Sequence, residues 1–213
     1  MSQPLLALDR GGRQRPWLTA LAVAVASGLW LSLGPVPEAL VFDRSAIAAG
    51  EWWRLLSGHW VHSDDRHALW DIAALALVGS LVEGNGRGRL ALAALVGSLS
   101  VAAALWWQLP ELERYCGLSG MLNGLFVLAL ADLWQRHRQP VVLAAAVLLC
   151  AKLLAELAAG QSVLTDPLWP GVPLAHLAGL LGGLAFLGGD RAYRHQRNHR
   201  FSRDDTTVHS TQR

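Results

Sequence analysis

Residues 116–134 read CGLSGMLNGLFVLALADLW. No charged side chain occurs in this run before Asp132, and Gly117, Gly120 and Gly124 crowd its first half. A helix needs roughly 17–25 mostly apolar residues to cross a bilayer. Five further runs fit that description: Trp17–Leu33, His67–Val82, Leu90–Trp107, Val141–Ala158 and Pro173–Gly189. Several are short and rich in Gly and Ala, and small residues let neighbouring helices approach closely. The composition agrees. Of 213 residues, 53% are hydrophobic and only 16% charged, against about 25% charged in a soluble domain. Mean hydropathy is +0.30. The expected fold is therefore an all-α polytopic membrane protein, with a six-helix core over 17–189 between an N-terminal tail, 1–16, and a basic C-terminal tail, 190–213.

Basic residues set the orientation, because Lys and Arg collect in cytoplasmic loops. With the N-terminus inside, the cytoplasmic pieces hold Arg10, Arg13, Arg15, Arg87, Arg89, Arg136, Arg138, Arg191, Arg194, Arg197, Arg200, Arg203 and Arg213. The outer pieces hold only Arg44, Arg54, Arg66 and Arg114. This bias predicts both termini in the cytoplasm. The segment before Trp17 then reads as a retained cytoplasmic tail rather than a cleaved signal peptide. The tail after Asp190 obeys the same charge rule and reads as a solvated end, not as a nucleic-acid-binding segment. The longest connection, Gly34 to Arg66, falls outside. It carries Trp52, Trp53 and Trp60, and Trp favours the headgroup level, so this loop is expected to lie on or partly in the membrane.

Spans two, four and six then run in the same direction, from the outer face inward. His67 opens span two and Asp71 lies one turn deeper. Ser119 lies three residues into span four, and His176 three residues into span six. Equal offsets mean roughly equal depth at about 1.5 Å per residue. One topology thus places Ser119, His176, His67 and Asp71 in a single layer below the outer surface. Ionisable side chains there are costly and point to function. A serine hydroxyl needs a base to become a nucleophile, and His suits that task near neutral pH. Backbone N–H groups in the first turn of span four lack intrahelical partners. With His67 they are candidates to stabilise an oxyanion. Gly117 and Gly120 leave backbone room for substrate beside the serine. Gly120 and Gly124 have the spacing to pack against Gly179 and Gly183 on span six.

Each of these features is weak alone: a single Gly-x-Ser-Gly, a His at a helix start or a pair of glycines has an ordinary packing explanation. Taken together they resemble the rhomboid proteases across nearly all of the six-helix core. Tyr115-Cys116-Gly117-Leu118-Ser119-Gly120, followed by Gly124, is similar to that family's serine motif. Ala175-His176-Leu177-Ala178-Gly179, followed by Gly183, is similar to its histidine motif. Trp53-Arg54 in the long loop resembles its Trp-Arg pair, and His62 and His67 match its histidines around the start of span two. The resemblance implies a Ser–His dyad without a third acid, cutting peptide bonds of membrane-anchored protein substrates within the lipid bilayer. It implies no cofactor and no metal. Asp71 departs from the pattern, because the family usually has an oxyanion-donating Asn there. An ionised Asp cannot donate; Asp71 is left to orient His67, to stay protonated through burial, or to serve only as a helix-start carboxylate. Within the family, the small core and the Tyr-Cys-Gly-Leu-Ser-Gly wording most resemble rhombosortases. That implies a multi-pass enzyme of the bacterial inner membrane, with exported substrates that carry a C-terminal Gly-Gly-type motif, a transmembrane helix and a basic end.

Lys152 and Glu156 stand four residues apart on span five and read as a mutually neutralising pair rather than a proton relay. Cys150 reads as a packing residue. Cys116 is near enough to Ser119 to line the site, and a disulfide between the two cysteines would need Cys150 to lie shallower than this reading places it. Two rival functions fit parts of the sequence. A catalytically inactive rhomboid-like binder of membrane helices would not need both Ser119 and His176. A Zn²⁺ site or a transporter built on His59, His62, Asp64, Asp65 and His67 is chemically possible, but it would leave Gly-Leu-Ser-Gly without a role.

Overall fold

The computed structural model describes residues 15–161 and 171–210, with 197–210 as backbone alone. The N-terminal tail read over 1–16 lies outside these residues except for Arg15 and Pro16, as does the end of the C-terminal tail, 211–213. In chain order the helices are α1 Trp17–Leu33, α2 Arg44–Ala48, α3 Arg54–Ser57, α4 Asp65–Glu83, α5 Arg87–Gln108, α6 Ser119–His137, α7 Pro140–Ala159 and α8 Pro173–Ser210. A two-stranded antiparallel ladder pairs β1, Phe42–Asp43, with β2, Arg114–Tyr115.

Local chemistry marks the helix ends. Asp64 caps α4 by accepting a hydrogen bond from the His67 N–H at 2.9 Å, satisfying a donor with no intrahelical partner. Pro140 opens α7, where its missing N–H costs nothing. The last carbonyls of α5 are taken by one guanidinium: Arg44 donates to the carbonyls of Leu105 (2.6 Å), Trp106 (3.2 Å) and Leu109 (2.8 Å), and to that of Leu112 just beyond (3.1 Å). This arginine ties the long loop to the helix end that it covers.

Most helix ends after α1 lie one to three residues from the sequence reading, and two differences matter. Cys116–Leu118 precede α6, so Ser119 is its first helical residue, not the fourth of a span begun at Cys116. The cause is non-local. Tyr115 is held in the ladder against Phe42, and the Gly117 N–H is bonded to the Gly58 carbonyl at 3.0 Å, so the chain cannot turn helical until it leaves both. At the other end of the chain, α8 continues beyond Gly189 through the basic segment to Ser210.

Helix α6 packs against α4, α5, α7 and α8, and its Met121, Leu122, Leu125 and Leu128 are buried with Leu75, Val78 and Leu90. Large apolar side chains also cover the outside of the helices, among them Leu31 (84% exposed), Trp107 (72%), Leu148 (68%) and Leu69 (68%). A water-soluble monomer rarely exposes apolar surface on this scale; lipid is the solvent that accepts it. Among the described residues, α5 and α7 are long and apolar enough to cross a membrane, and α1 is apolar but shorter. Helices α4, α6 and α8 carry polar groups that face inward, and so do α5, with Arg89 and Ser98, and α7, with Glu156.

Opposite the Ser119 end, a polar layer closes the bundle. Arg89 donates to Asp132 at 2.6 and 3.1 Å and to Asp190 at 2.9 Å, joining α5, α6 and α8. Fully buried Glu83 accepts from the Leu18 and Thr19 N–H groups at 3.0 and 2.7 Å and from the Thr19 hydroxyl at 2.7 Å. A carboxylate at a helix N-terminus satisfies orphan donors and favours the helix dipole, so Glu83 anchors α1 to the end of α4.

Candidate functional site

Helices α6 and α8 meet near their N-terminal ends, where glycine removes the side chain. A Cβ at Gly179 would lie inside the Gly120 carbonyl group, and one at Gly124 would stand 2.6 Å from the Gly179 carbonyl oxygen. Gly183 in turn lies against Gly124. This backbone contact brings the two helices near enough for side chains at their tips to bond. His176 Nε2 is 2.9 Å from Ser119 Oγ. The other ring nitrogen, Nδ1, is 2.7 Å from Glu156 Oε2 on α7. A carboxylate accepts and does not donate, so Nδ1 carries the proton. Nε2 then presents its lone pair to the serine hydroxyl. His176 is buried, and Glu156 is wholly so.

A second cluster faces the backbone that leads into Ser119. Asp71 Oδ2 accepts from the Leu118 N–H at 2.7 Å and from the Ser119 N–H at 3.0 Å. Nε2 of His67 stands 3.3 Å from the same oxygen, and Nε2 of His62 stands 3.4 Å from it. Four nitrogens thus surround one carboxylate oxygen. Asp71 is not a helix-start carboxylate, since α4 starts at Asp65 and is capped by Asp64. His67 is oriented from behind: the Ser63 hydroxyl donates to Asp64 at 2.8 Å and stands 3.0 Å from His67 Nδ1. Gly117 is required at this point for two reasons. Its φ is +118°, and a Cβ there would come within 2.5 Å of His67 Nε2.

The long loop supports the cluster from outside. Buried Arg54 donates to the carbonyls of Glu38 and, at 3.1 Å, Val41, and pairs with Glu51 at 2.6 Å. Trp53 Nε1 donates to the Ala39 carbonyl at 3.1 Å. His59 reaches the Ser98 carbonyl on α5 at 3.1 Å, which pulls the turn Gly58–Trp60 down among the helices.

Sequence reasoning missed several members. In the sequence Glu156 stands out only as the partner of Lys152; that pair exists, at 2.8 Å, but the second carboxylate oxygen faces His176, where the resemblance implies no acid. Asn123 donates to the Ser119 carbonyl at 2.7 Å and steadies the first turn of α6; an amide four residues after the serine was its signal. Arg44 gave no local signal, because its partners are more than 60 residues away. The cysteines are both free, Cys116 buried and Cys150 exposed. Among the described residues no three His, Cys, Asp or Glu side chains are grouped to hold a metal ion.

A search of curated proteins finds no match to the chain. The rhomboid domain family matches residues 49–190, a stretch that runs from the long loop through α8 as far as Asp190 and includes every side chain of both clusters. The chain therefore belongs to the rhomboid family, membrane proteins known for intramembrane serine proteases.

Proposed function

We propose that the chain is an intramembrane serine endopeptidase in which Ser119 is the nucleophile and His176 the general base. The observation that carries this reading is the 2.9 Å contact between Ser119 Oγ and His176 Nε2. In the reaction Ser119 Oγ attacks the scissile carbonyl carbon, and its proton passes to His176 Nε2. The C–N bond then breaks as His176 returns that proton to the leaving amine. Water, deprotonated by the same imidazole, attacks the acyl ester, and Ser119 recovers its hydrogen as the new carboxylate departs. An inactive binder of membrane helices would have no use for a bonded Ser–His pair, which makes that alternative the weaker one.

The tetrahedral intermediate needs donors for its oxyanion. The point ringed by Leu118 N–H, Ser119 N–H and His67 Nε2 is suited to an anionic oxygen, and in the resting chain Asp71 supplies one. On this reading Asp71 must yield that place during turnover. Asp71→Asn is accordingly expected to hold or raise the cleavage rate, because the amide removes the competing charge and adds a donor. A tenfold or greater loss in the steady-state rate would show that the carboxylate itself is needed. His67→Ala removes one donor and leaves the backbone pair, so its loss should be smaller than that of Ser119→Ala, about 10²–10³.

The apolar runs support six spans, the arginine bias supports both termini in the cytoplasm with the catalytic layer near the outer face, and the rhombosortase resemblance supports a bacterial inner membrane. The rhombosortase-like wording of the serine motif supports exported proteins with a C-terminal Gly-Gly-type anchor as substrates. A regular helix hides its carbonyls in internal hydrogen bonds, and Gly costs about 1 kcal/mol relative to Ala in a helix, so a Gly-rich boundary opens readily. The test is co-expression with a reporter carrying such an anchor, with the new C-terminus mapped by mass spectrometry. A cut at the outer edge of the anchor, lost when its glycines become Leu, is expected. A cut deep in the span or on the cytoplasmic side contradicts the proposal, and equal cutting of ordinary membrane helices leaves a general rhomboid protease in place of the sorting subclass.

A further inference from the structure

Helix α7 is long and apolar enough to cross a membrane, and Lys152 and Glu156 are its only charged residues. A carboxylate buried beside lipid is costly unless it is paired and fully hydrogen-bonded. Neutralising Lys152, which is partly exposed, would need only a surface partner. Instead Glu156 is 0% exposed and turned inward. One oxygen, Oε1, takes Lys152 Nζ at 2.8 Å, and the other, Oε2, takes His176 Nδ1 at 2.7 Å. The depth of Glu156 also matches that of the imidazole: Glu156 lies three residues before the end of α7, and His176 three residues after the start of α8.

We infer that Glu156 is a positioning residue for the Ser119–His176 pair, held in place by Lys152, so that the site works as a Ser–His–Glu triad built across α6, α8 and α7. The inference rests on the reading of Ser119 as nucleophile. Glu156 does not touch the substrate. It fixes the tautomer with the proton on Nδ1, sets the ring plane so that Nε2 faces Ser119 Oγ, and stabilises the imidazolium that forms when the serine proton is transferred. A neutral side chain of the same shape can do the first two only by chance of orientation and the third hardly at all. In serine proteases of other folds, removing the negative charge of the acid in this manner costs about 10⁴ in kcat.

The structural alternative, an ion pair that merely seats α7, predicts a loss of thermal stability with normal chemistry. The experiment separates the two. The purified full-length chain in detergent is reacted with a fluorophosphonate, whose phosphorus accepts Ser119 Oγ as fluoride leaves, and the inactivation rate constant kinact and affinity KI are measured separately. Glu156→Gln is expected to lower kinact by about 10²–10⁴ with KI unchanged, and Glu156→Asp to restore part of the loss. In parallel, ¹⁵N-histidine labelling should show a far-downfield Nδ1–H proton of the carboxylate-bonded His176. That signal should persist in Ser119→Ala and vanish in Glu156→Gln, and it serves as the readout if a variant is too unstable to assay. Absence of the signal from both the wild type and Ser119→Ala overturns the inference. So does a Glu156→Gln chain that reacts as fast as a reactive wild type, and this result would leave Ser119 as nucleophile intact. A wild type that does not react at Ser119 overturns the underlying reading itself.

Discussion

Ser119→Ala should abolish cleavage of a membrane-anchored reporter while the protein still inserts in the membrane and keeps its thermal unfolding transition. His176→Ala should do the same, and the double variant should be no worse than either single one. The expectation follows from the geometry of the pair. Among the described residues the hydroxyl has one base within reach, Nε2 at 2.9 Å, so removing either group removes the whole nucleophile. Residues that act as one unit are non-additive, and in a serine protease the loss from either alone reaches about 10⁶ in kcat. Neither side chain fills much of the apolar core, which is why the fold should survive. The assay is immunoblotting of co-expressed reporter, with protein levels matched. Normal processing by Ser119→Ala would end the serine-protease account.

A loss nearly as large is expected from a change that touches no reacting atom. Gly179→Val places a branched side chain where the Gly120 carbonyl already lies. Helices α6 and α8 must then separate, and with them Ser119 and His176. A displacement of about 1 Å at reacting groups costs on the order of 10² in rate, and overpacking of a tight contact costs about 1–3 kcal/mol of stability. Activity should therefore fall by at least two orders of magnitude, with a lowered unfolding temperature. Gly188→Val on the same helix is the control, because nothing lies within 4 Å of the Cβ it would add. Equal damage at both positions would show that helix propensity, not the close approach, is responsible.

What could be read from the sequence divides along physical lines. Apolar runs mark the long helices well, since length and hydropathy are local: α1 has the bounds read for it, Trp17–Leu33, and α5 and α7 differ by only a few residues. Glycines four residues apart likewise announce a close helix contact. The start of α6 was not legible, because it depends on the pairing of Tyr115 with Phe42 and of Gly117 with Gly58. The same is true of the Arg89–Asp132–Asp190 cluster, whose members are far apart in the chain. Glu156 shows a subtler limit. Its i, i+4 pairing with Lys152 is visible in the sequence, but a helix that is apolar almost all round does not reveal its rotation about its own axis. Only the packed structure tells which oxygen faces α8. Asp71 was legible as a departure from the family pattern, though not as the acceptor of the Leu118 and Ser119 N–H groups.

The most direct test of the central claim, a serine activated by His176, is to find where a fluorophosphonate attaches. The purified chain is treated with the probe, digested and mapped by mass spectrometry, beside its His176→Ala variant. The account predicts a single adduct on Ser119 in the wild type and almost none in His176→Ala. An unmodified Ser119, an adduct on another residue, or equal labelling of Ser119 without His176 would contradict it.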